Sequence, residues 1–294
     1  MRAIAIGAFD GVHLGHKEVI EKAIQFGRTH NLKTTILTFS PHPEIFFKGE
    51  EFKLLTTEEE REELLLSLGV DEIIKLPFNE ELANMPPESF FKDILISKLN
   101  VKFISVGFNF TFGKEGKGTP ALLKKLSNES KITVEIIPPK AVMGRIVSST
   151  KIRELIKDGK IEEAAILLGR NYSIKGLISR GNGIGRKIGF PTINISVNPE
   201  KLLPPDGVYA TIVNLDNKNF LGAMNIGKRP TIYDKGERRV EVYILDYEGD
   251  VYGKTVRIEI TNRIRGEKKF SSLNELREQI ERDINWIRKH CKIG

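Results

Sequence analysis

Two imidazoles three residues apart, His13 and His16 of "GAFDGVHLGH", are the first side chains in this sequence equipped for chemistry. Gly7, Gly11 and Gly15 surround them and allow tight turns and close backbone approach to a ligand. An apolar run, "RAIAIGAF", precedes the pair and a helical pattern follows, which puts it at or just before a helix N-terminus. Free N–H groups and the helix dipole attract anions there, and imidazole donors can meet charge as it builds on phosphate oxygens. Three readings fit the spacing: phosphate binding, a metal site, or plain capping and packing. A metal site needs further ligands, and the sequence offers no obvious His or Cys cluster. His290 and Cys291, at the far end, read as a solvated tail.

Two later stretches also suit phosphates. "VSSTKIREL", Val147–Leu155, sets the hydroxyls of Ser148, Ser149 and Thr150 at a helix start, where they bind phosphate or act as N-caps. Arg153 adds a fork of donors. "GLISRGNGIGRKIGFPTINI" combines Gly181, Gly183 and Gly185 with Arg180, Arg186 and Lys187. No Gly-Lys-Ser/Thr follows at Walker spacing, and the glycines lead into a strand rather than a helix, so neither classical nucleotide fingerprint applies. Backbone N–H groups of such a loop can still wrap a nucleotide, with a simple hairpin turn as the alternative.

The elements that must position these residues change character halfway. "RAIAIGAF", "KTTILTF", "DEIIKL", "FISVG" and "ITVEIIP" read as buried strands. They alternate with the helical patterns "HKEVIEKAIQFGRTH", "TTEEEREELLLSLG" (opened by Thr57), "PPESFFKDILISKL" and "TPALLKKLSNES". That alternation predicts a Rossmann-like α/β domain with a mainly parallel sheet, binding its ligand at the carboxyl ends of the strands. From Tyr172 onward, "YSIKGLI", "TINIS", "GVYATIVNL", "FLGAMNI", "RRVEVYILDY" and "KTVRIEIT" are β-rich runs punctuated by Gly, Pro, Asn and Asp. They predict a small antiparallel β-barrel or sandwich, followed by a terminal helix with Leu273, Leu276, Ile280, Ile284 and Ile287 at helical spacing. Ser272 and Glu275 suggest a capping box at its start. The boundary is drawn after residue 158, giving domains 1–158 and 159–294.

The totals agree with a soluble, two-domain chain of 294 residues. No apolar run reaches the ~20 residues of a membrane span, no signal peptide opens the sequence, and the single cysteine excludes an internal disulfide. A cytoplasmic location is expected. Residues 1–158 carry 22 basic and 22 acidic side chains, so the whole excess of +7 lies beyond them. Its lysines and arginines are scattered rather than blocked, which favours small phosphorylated ligands over nucleic acid.

"HLGH" after a first strand resembles the HxGH motif of the nucleotidyltransferase superfamily, and "VSSTKIREL" resembles its later SSTxIR motif. The stretches "TFSPHPE", "VGFNFTFGKEGKG", "LGRNYSIKGLISRGNGIGRKIGFPTINI", "PPDGVYATI", "GAMNIGKRPTI", "VEVYILDY" and "RGEKKF" extend the likeness. From Ile4 to Arg288 the sequence is similar to the bacterial bifunctional riboflavin kinase/FAD synthetase family, with an N-terminal adenylyltransferase module and a C-terminal kinase module.

The resemblance implies ATP-dependent phosphorylation of riboflavin to FMN, then adenylylation of FMN to FAD with release of pyrophosphate. For the first module it implies an ATP site at Gly7, Phe9, His13, His16, Ser148, Ser149, Thr150 and Arg153, and a flavin contact at Asn109. For the second it implies an ATP site at Gly181, Gly183, Gly185, Lys187, Thr192 and Asn194, with Mg²⁺ on Thr192 and Asn194 and Glu241 as catalytic base. This sequence departs from the family at Asn109 and Thr111, where Asp and Arg are frequent, and at Tyr243, where His is frequent. Phe108, Phe110 and Phe112 alternate, so some face the core and others a flavin ring. The implied partners are riboflavin, FMN, FAD and ATP, with no nucleic acid or membrane, and a monomer or weak oligomer. Two other readings remain: a nucleotidyltransferase of other specificity whose barrel only binds substrate, and a basic barrel that binds RNA.

Overall fold

The computed structural model describes residues 1–179, 185, 188–228 and 238–293. Contacts divide the chain into two compact units, Met1–Ser149 and Thr150–Gly294.

Strand β1 (Arg2–Ile6) shows how the first unit is built. Its Ala and Ile alternate, and a strand sends successive side chains to opposite faces. Ala3 and Ala5 pack with Val19, Ile20, Ala23 and Ile24 of α1 (Leu14–His30). Ile4 and Ile6 face a second cluster containing Phe90, Phe91, Leu95 and Leu123. Small side chains let α1 lie close on one face; larger ones fill the other. Each fully buried Ile contributes about 1.5–3 kcal/mol.

β1 pairs in parallel with β2 (Lys33–Ser40) and with β4 (Val101–Gly107). β3 (Glu72–Pro77) flanks β2 and β5 (Thr133–Ile137) flanks β4, giving the order β3-β2-β1-β4-β5. Direction along the sheet reverses between β1 and β4, and such a switch point opens a crevice at the strands' carboxyl ends. The connecting helices are α2 (Pro43–Lys48), α3 (Glu58–Leu66), α4 (Glu80–Ala83), α5 (Pro87–Ser89) and α6 (Pro120–Glu129). Phe90–Lys98, expected as ordinary helix, is wound as a π-helix. α2 and the short hairpin β6 (Ala141–Val142) and β7 (Arg145–Ile146) were not foreseen from the sequence.

At the amino ends of these strands, Glu72 accepts from Arg2 Nε (2.6 Å), Lys33 Nζ (2.6 Å) and Thr35 Oγ1 (2.7 Å). Burial pushes its carboxyl up, but the bonds from Lys33, Thr35 and Arg2 and the charge of Arg2 outweigh it, holding the pKa at about 2 rather than 4.5. A carboxyl lowered on folding stabilises above its unfolded pKa and loses that contribution as pH falls toward its folded one. Glu72→Gln should therefore weaken the first unit by about 1 kcal/mol near neutrality, given the site's partial exposure. Urea unfolding should show the difference shrinking between about pH 5 and about pH 2. A difference that stays constant over that range would refute the assignment.

The second unit begins along α7 (Ser149–Lys157), which spans the division, and continues through α8 (Ile161–Leu168). The boundary drawn from the sequence falls just past the end of α7. Six strands then form a closed barrel: β8 (Tyr172–Ser179), β9 (Ile193–Val197), β10 (Gly207–Leu215), β11 (Lys218–Lys228), β12 (Arg238–Ile244) and β13 (Thr255–Arg265). Their order is β10-β11-β12-β9-β8-β13, with β13 returning to β10 and every pairing antiparallel. Closure leaves no exposed sheet edge.

Helix α9 (Leu273–His290) packs Ile284 and Ile287 against Ala210 and Leu245 of the barrel, joined by Ala223, Tyr243 and Ile280. Two expectations fail here. Ser272 accepts from Glu275 N–H, but the Glu275 carboxylate reaches Ser271, so only half of the capping box forms. Cys291 is no solvated tail: it is 8% exposed and belongs to the cluster under α9, because the last turn carries it back onto the barrel. Leu273, by contrast, is exposed at the helix start.

Candidate functional sites

The turn between β1 and α1 is sharply wound. Phe9 (φ 52°), Gly11 (φ 85°) and Val12 (φ 39°) all take left-handed backbone values, which cost roughly 1–2 kcal/mol for a residue with a Cβ. That winding brings His13 to the N-cap of α1, where its Nδ1 accepts from His16 N–H at 3.2 Å. A neutral ring accepting at Nδ1 carries its proton on Nε2, which is then a donor. The His13 and His16 rings stack with centroids 3.5 Å apart, and Phe9 stands edge-on to His16 at 5.3 Å. Gly15 lies close under this stack: a Cβ there would be 3.3 Å from the His13 ring, which would have to give by a few tenths of an ångström. Gly7 sits equally close under Phe9, 3.1 Å from where its Cβ would be. Capping and anion binding, alternatives in the sequence, are here compatible: His13 caps through one nitrogen and can donate through the other.

Asp10, 2% exposed, ties the turn to the loop before α3. Its carboxylate accepts from Leu55 N–H (3.0 Å), Thr56 N–H (2.9 Å) and Thr56 Oγ1 (3.1 Å). Ser149 Oγ donates to the Asp10 carbonyl at 2.8 Å, so the structure joins the second motif to the first through this residue. Ser148 is half-buried beside it in sequence. Thr150, exposed, and Arg153, half-buried, lie further along α7 in the second unit.

The turn after β4 opens at the same sheet edge. Phe108 N–H donates to the Ile137 carbonyl at 2.9 Å, and Asn109 and Thr111 are exposed. The three phenylalanines separate cleanly: Phe112 is buried, Phe110 packs against the core, and Phe108 is 46% exposed. After β2 and β3, exposed Phe46 and Phe47 gather around Phe78 with ring centroids 5.4 and 5.7 Å away. Aromatic surface of this kind suits a stacked ring. Asp10, Thr56 and this aromatic group were not picked out from sequence, where they look like ordinary turn and helix residues.

In the barrel, register supplies what spacing could not. Glu241 of β12 pairs with Asn194 of β9 on one side and with Asn225 of β11 on the other. Their neighbours Val240, Val242, Ile193, Ile195, Met224 and Ile226 are buried, so the three polar side chains share the opposite face. A cavity of about 360 Å³ lies there, of the size range of small-molecule sites, roughly 300–1,000 Å³. Thr192, Asn225 and Glu241 line it, and α9 contributes Leu276, Ile280 and Asp283.

Tyr243 also lines the cavity and stands edge-on to Phe190, centroids 5.5 Å apart, which makes it wall. Arg265 and Asp283 brace α9 to β13 with contacts of 2.9 and 3.0 Å, Asp283 being 4% exposed. Gly185 approaches the strand end closely: a Cβ would lie 2.3 Å from the Phe190 carbonyl and 3.3 Å from Thr192 Oγ1. Gly181, Gly183 and Lys187 lie outside the described residues.

The donors near the cavity are hydroxyl, carboxamide and carboxylate oxygens, and its described lining contains no imidazole or thiolate. That chemistry suits a hard cation sharing its shell with phosphates and water. No group of three or more His, Cys, Asp or Glu that could hold a metal ion occurs among the described residues. Nor is any described helix long and apolar enough to cross a membrane.

Comparison with known proteins gives a consistent picture. A family model described as FAD synthetase matches residues 1–151, and one described as riboflavin kinase matches residues 168–291. A bifunctional riboflavin kinase/FMN adenylyltransferase of Buchnera aphidicola subsp. Schizaphis graminum is 38% identical, covering 99% of this chain and 94% of its own length. Proteins of the same description from Bacillus subtilis (38% identical, 95% and 89% covered) and Escherichia coli K12 (35%, 95% and 90%) also match. A crystal structure described as a macrolide-efflux protein from Streptococcus pneumoniae has a TM-score of 0.90 at 33% identity, covering 99% of this chain and 95% of its own. What it shares with this chain is the fold.

Proposed function

The chain belongs to the family of bifunctional riboflavin kinases/FMN adenylyltransferases, and from that premise we propose how its residues divide the two reactions. It phosphorylates riboflavin with ATP to FMN and adenylylates FMN with a second ATP to FAD. The kinase activity belongs to residues 159–294 and the adenylyltransferase to residues 1–158.

The observation that carries the kinase assignment is the row Asn194–Glu241–Asn225 beside a ring-sized apolar cavity. Riboflavin's ring lies in the cavity. Glu241 takes the proton of the 5′-hydroxyl as that oxygen attacks the γ-phosphorus of ATP, and ADP leaves. Gly181, Gly183, Gly185 and Lys187 contact the nucleotide. Thr192 and Asn194 would hold Mg²⁺ through oxygen. When bound, that ion neutralises charge on the phosphate oxygens. The apolar side chains from α9 keep water from competing with the flavin hydroxyl.

In the adenylyltransferase reaction, a phosphate oxygen of FMN attacks the α-phosphorus of ATP and pyrophosphate departs. No protein nucleophile is needed. His13 and His16 donate to charge developing on the triphosphate, at a helix N-terminus already suited to anions. Gly7 and Phe9 shape the ATP site, Ser148, Ser149 and Thr150 supply hydroxyls, and Arg153 a fork of donors. Asn109 contacts the flavin phosphate, and the rings of Phe46, Phe47, Phe78 and Phe108 offer stacking surface. The enzyme works in the cytoplasm, consistent with its single, unpaired thiol, as a monomer or weak oligomer.

Gly185→Ala tests the kinase site. The added Cβ cannot fit without moving the Phe190 carbonyl, and it crowds the Thr192 hydroxyl. Phosphorylation should fall about 10-fold or more, while adenylylation of supplied FMN is unchanged. An unaffected kinase would remove Gly185 and Thr192 from the nucleotide site.

A further inference from the structure

The wound turn that carries His13 is closed from within by one backbone bond, Val12 N–H to the Phe9 carbonyl at 3.0 Å, and is otherwise held from outside. Phe9 and Val12 are held at left-handed φ despite their Cβ atoms, and strain of that kind persists only where surrounding contacts impose it. Three of these outside contacts come from Thr56, beside those of Leu55 and Ser149 on Asp10. Thr56 Oγ1 accepts from Gly11 N–H at 3.0 Å and donates to Asp10 Oδ1 at 3.1 Å, while its own N–H donates to the same carboxylate oxygen at 2.9 Å. Thr56 is 3% exposed, and the adjoining Leu55 is fully buried.

The support is itself anchored. Thr57, the next residue, is the N-cap of α3 and forms a complete capping box with Glu60, with bonds of 3.3 and 2.9 Å. A reciprocal cap of this type fixes where the chain enters a helix. The run "LLTTEEE" thus holds Thr56 at a set place, and Thr56 holds the backbone on which the two imidazoles stand.

We infer that Thr56 is a positioning residue for adenylyl transfer: its hydroxyl bridges Gly11 and Asp10, and through them aims His13 and His16 at the reacting phosphate. The inference rests on the proposed role of those histidines. Thr56 touches neither nucleotide nor flavin in this scheme, so its effect lies in the rate of the chemical step rather than in binding. A small misplacement of donors tuned to the transition state lowers kcat with little change in KM.

The test is a kinetic comparison of Thr56→Val and Thr56→Ser in the full chain, with both reactions assayed separately. Thr56→Val removes the bridging hydroxyl at nearly constant size. Its adenylylation kcat should fall roughly 10–100-fold, with KM for ATP and FMN within about 3-fold of the parent and riboflavin phosphorylation unaltered. Thr56→Ser keeps the hydroxyl and should restore kcat to within about 3-fold. Equal losses in both variants, an unchanged kcat in Thr56→Val, or a rise in KM alone would each overturn the inference. If Thr56→Val does not fold, as read by near-ultraviolet circular dichroism, Asp10→Asn replaces it: a kcat loss at constant KM supports the inference, and an unchanged kcat overturns it. His13→Ala runs in parallel. Adenylylation that survives His13→Ala overturns the histidine assignment itself; adenylylation lost in His13→Ala but intact in Thr56→Val overturns only the role of Thr56.

Discussion

A Glu241→Gln chain is expected to lose riboflavin phosphorylation by about 10²–10⁴-fold while converting supplied FMN to FAD at the parent rate. The substitution keeps the size of the side chain and its place between Asn194 and Asn225, and removes only its ability to accept a proton. The flavin hydroxyl is a poor nucleophile until that proton leaves; Glu267 and Asp283 also line the cavity, but Asp283 is bound to Arg265 and only Glu241 stands between Asn194 and Asn225. Riboflavin affinity should survive, because the cavity walls supplied by Phe190, Tyr243, Leu276 and Ile280 are untouched. Fluorescence titration of riboflavin checks binding, and chromatography of the flavins checks turnover. Loss of binding together with turnover would mean that Glu241 shapes the cavity and is not the base.

The complementary change, His13→Asn with His16→Ala, should lower adenylylation by roughly 10³-fold and let FMN accumulate. Asn is chosen at position 13 because His13 caps α1, and a cap replaced by Ala costs about 1 kcal/mol of stability. Asn can still accept from the backbone as a cap, so any rate loss reports on the missing imidazole donor. The two histidines stack at 3.5 Å and are proposed to act on the same charge, so the single losses should not sum to the double loss. Riboflavin phosphorylation should be unaffected. A double variant that adenylylates FMN normally would return the pair to capping and packing alone.

Much of this arrangement is legible in sequence because local physics dictates it. Alternating Ala and Ile in "RAIAIG" specify a strand buried on both faces, and "HLGH" directly after it falls at a helix start with no tertiary help. The change from crossover units to evenly punctuated strands at Tyr172 likewise marks where parallel sheet gives way to barrel. What stays hidden depends on register and on long-range bonds. Nothing in "GAMNIG" says that Asn225 pairs with Glu241, since a shift of one residue would turn it to the other face. Asp10 and Thr56 are 46 residues apart and meet only because α1, β2 and α2 return the chain to the first turn. Cys291 reads as tail because burial under α9 is set by the barrel surface, not by its own neighbours. The half-formed cap at Ser272 has a similar origin: Ser271 offers the Glu275 carboxylate two donors, its N–H and its hydroxyl, and takes it away from Ser272.

The central claim is that one chain performs two consecutive reactions on one flavin at chemically distinct sites. The most direct test is a chromatographic time course with riboflavin, ATP and Mg²⁺, following riboflavin, FMN and FAD together. FMN should rise first and FAD after it. FAD formation should begin at once when FMN is supplied instead. FMN that accumulates without ever becoming FAD, with supplied FMN also inert, would contradict the role given to the histidine turn, and a chain inert toward both flavins would contradict the account as a whole.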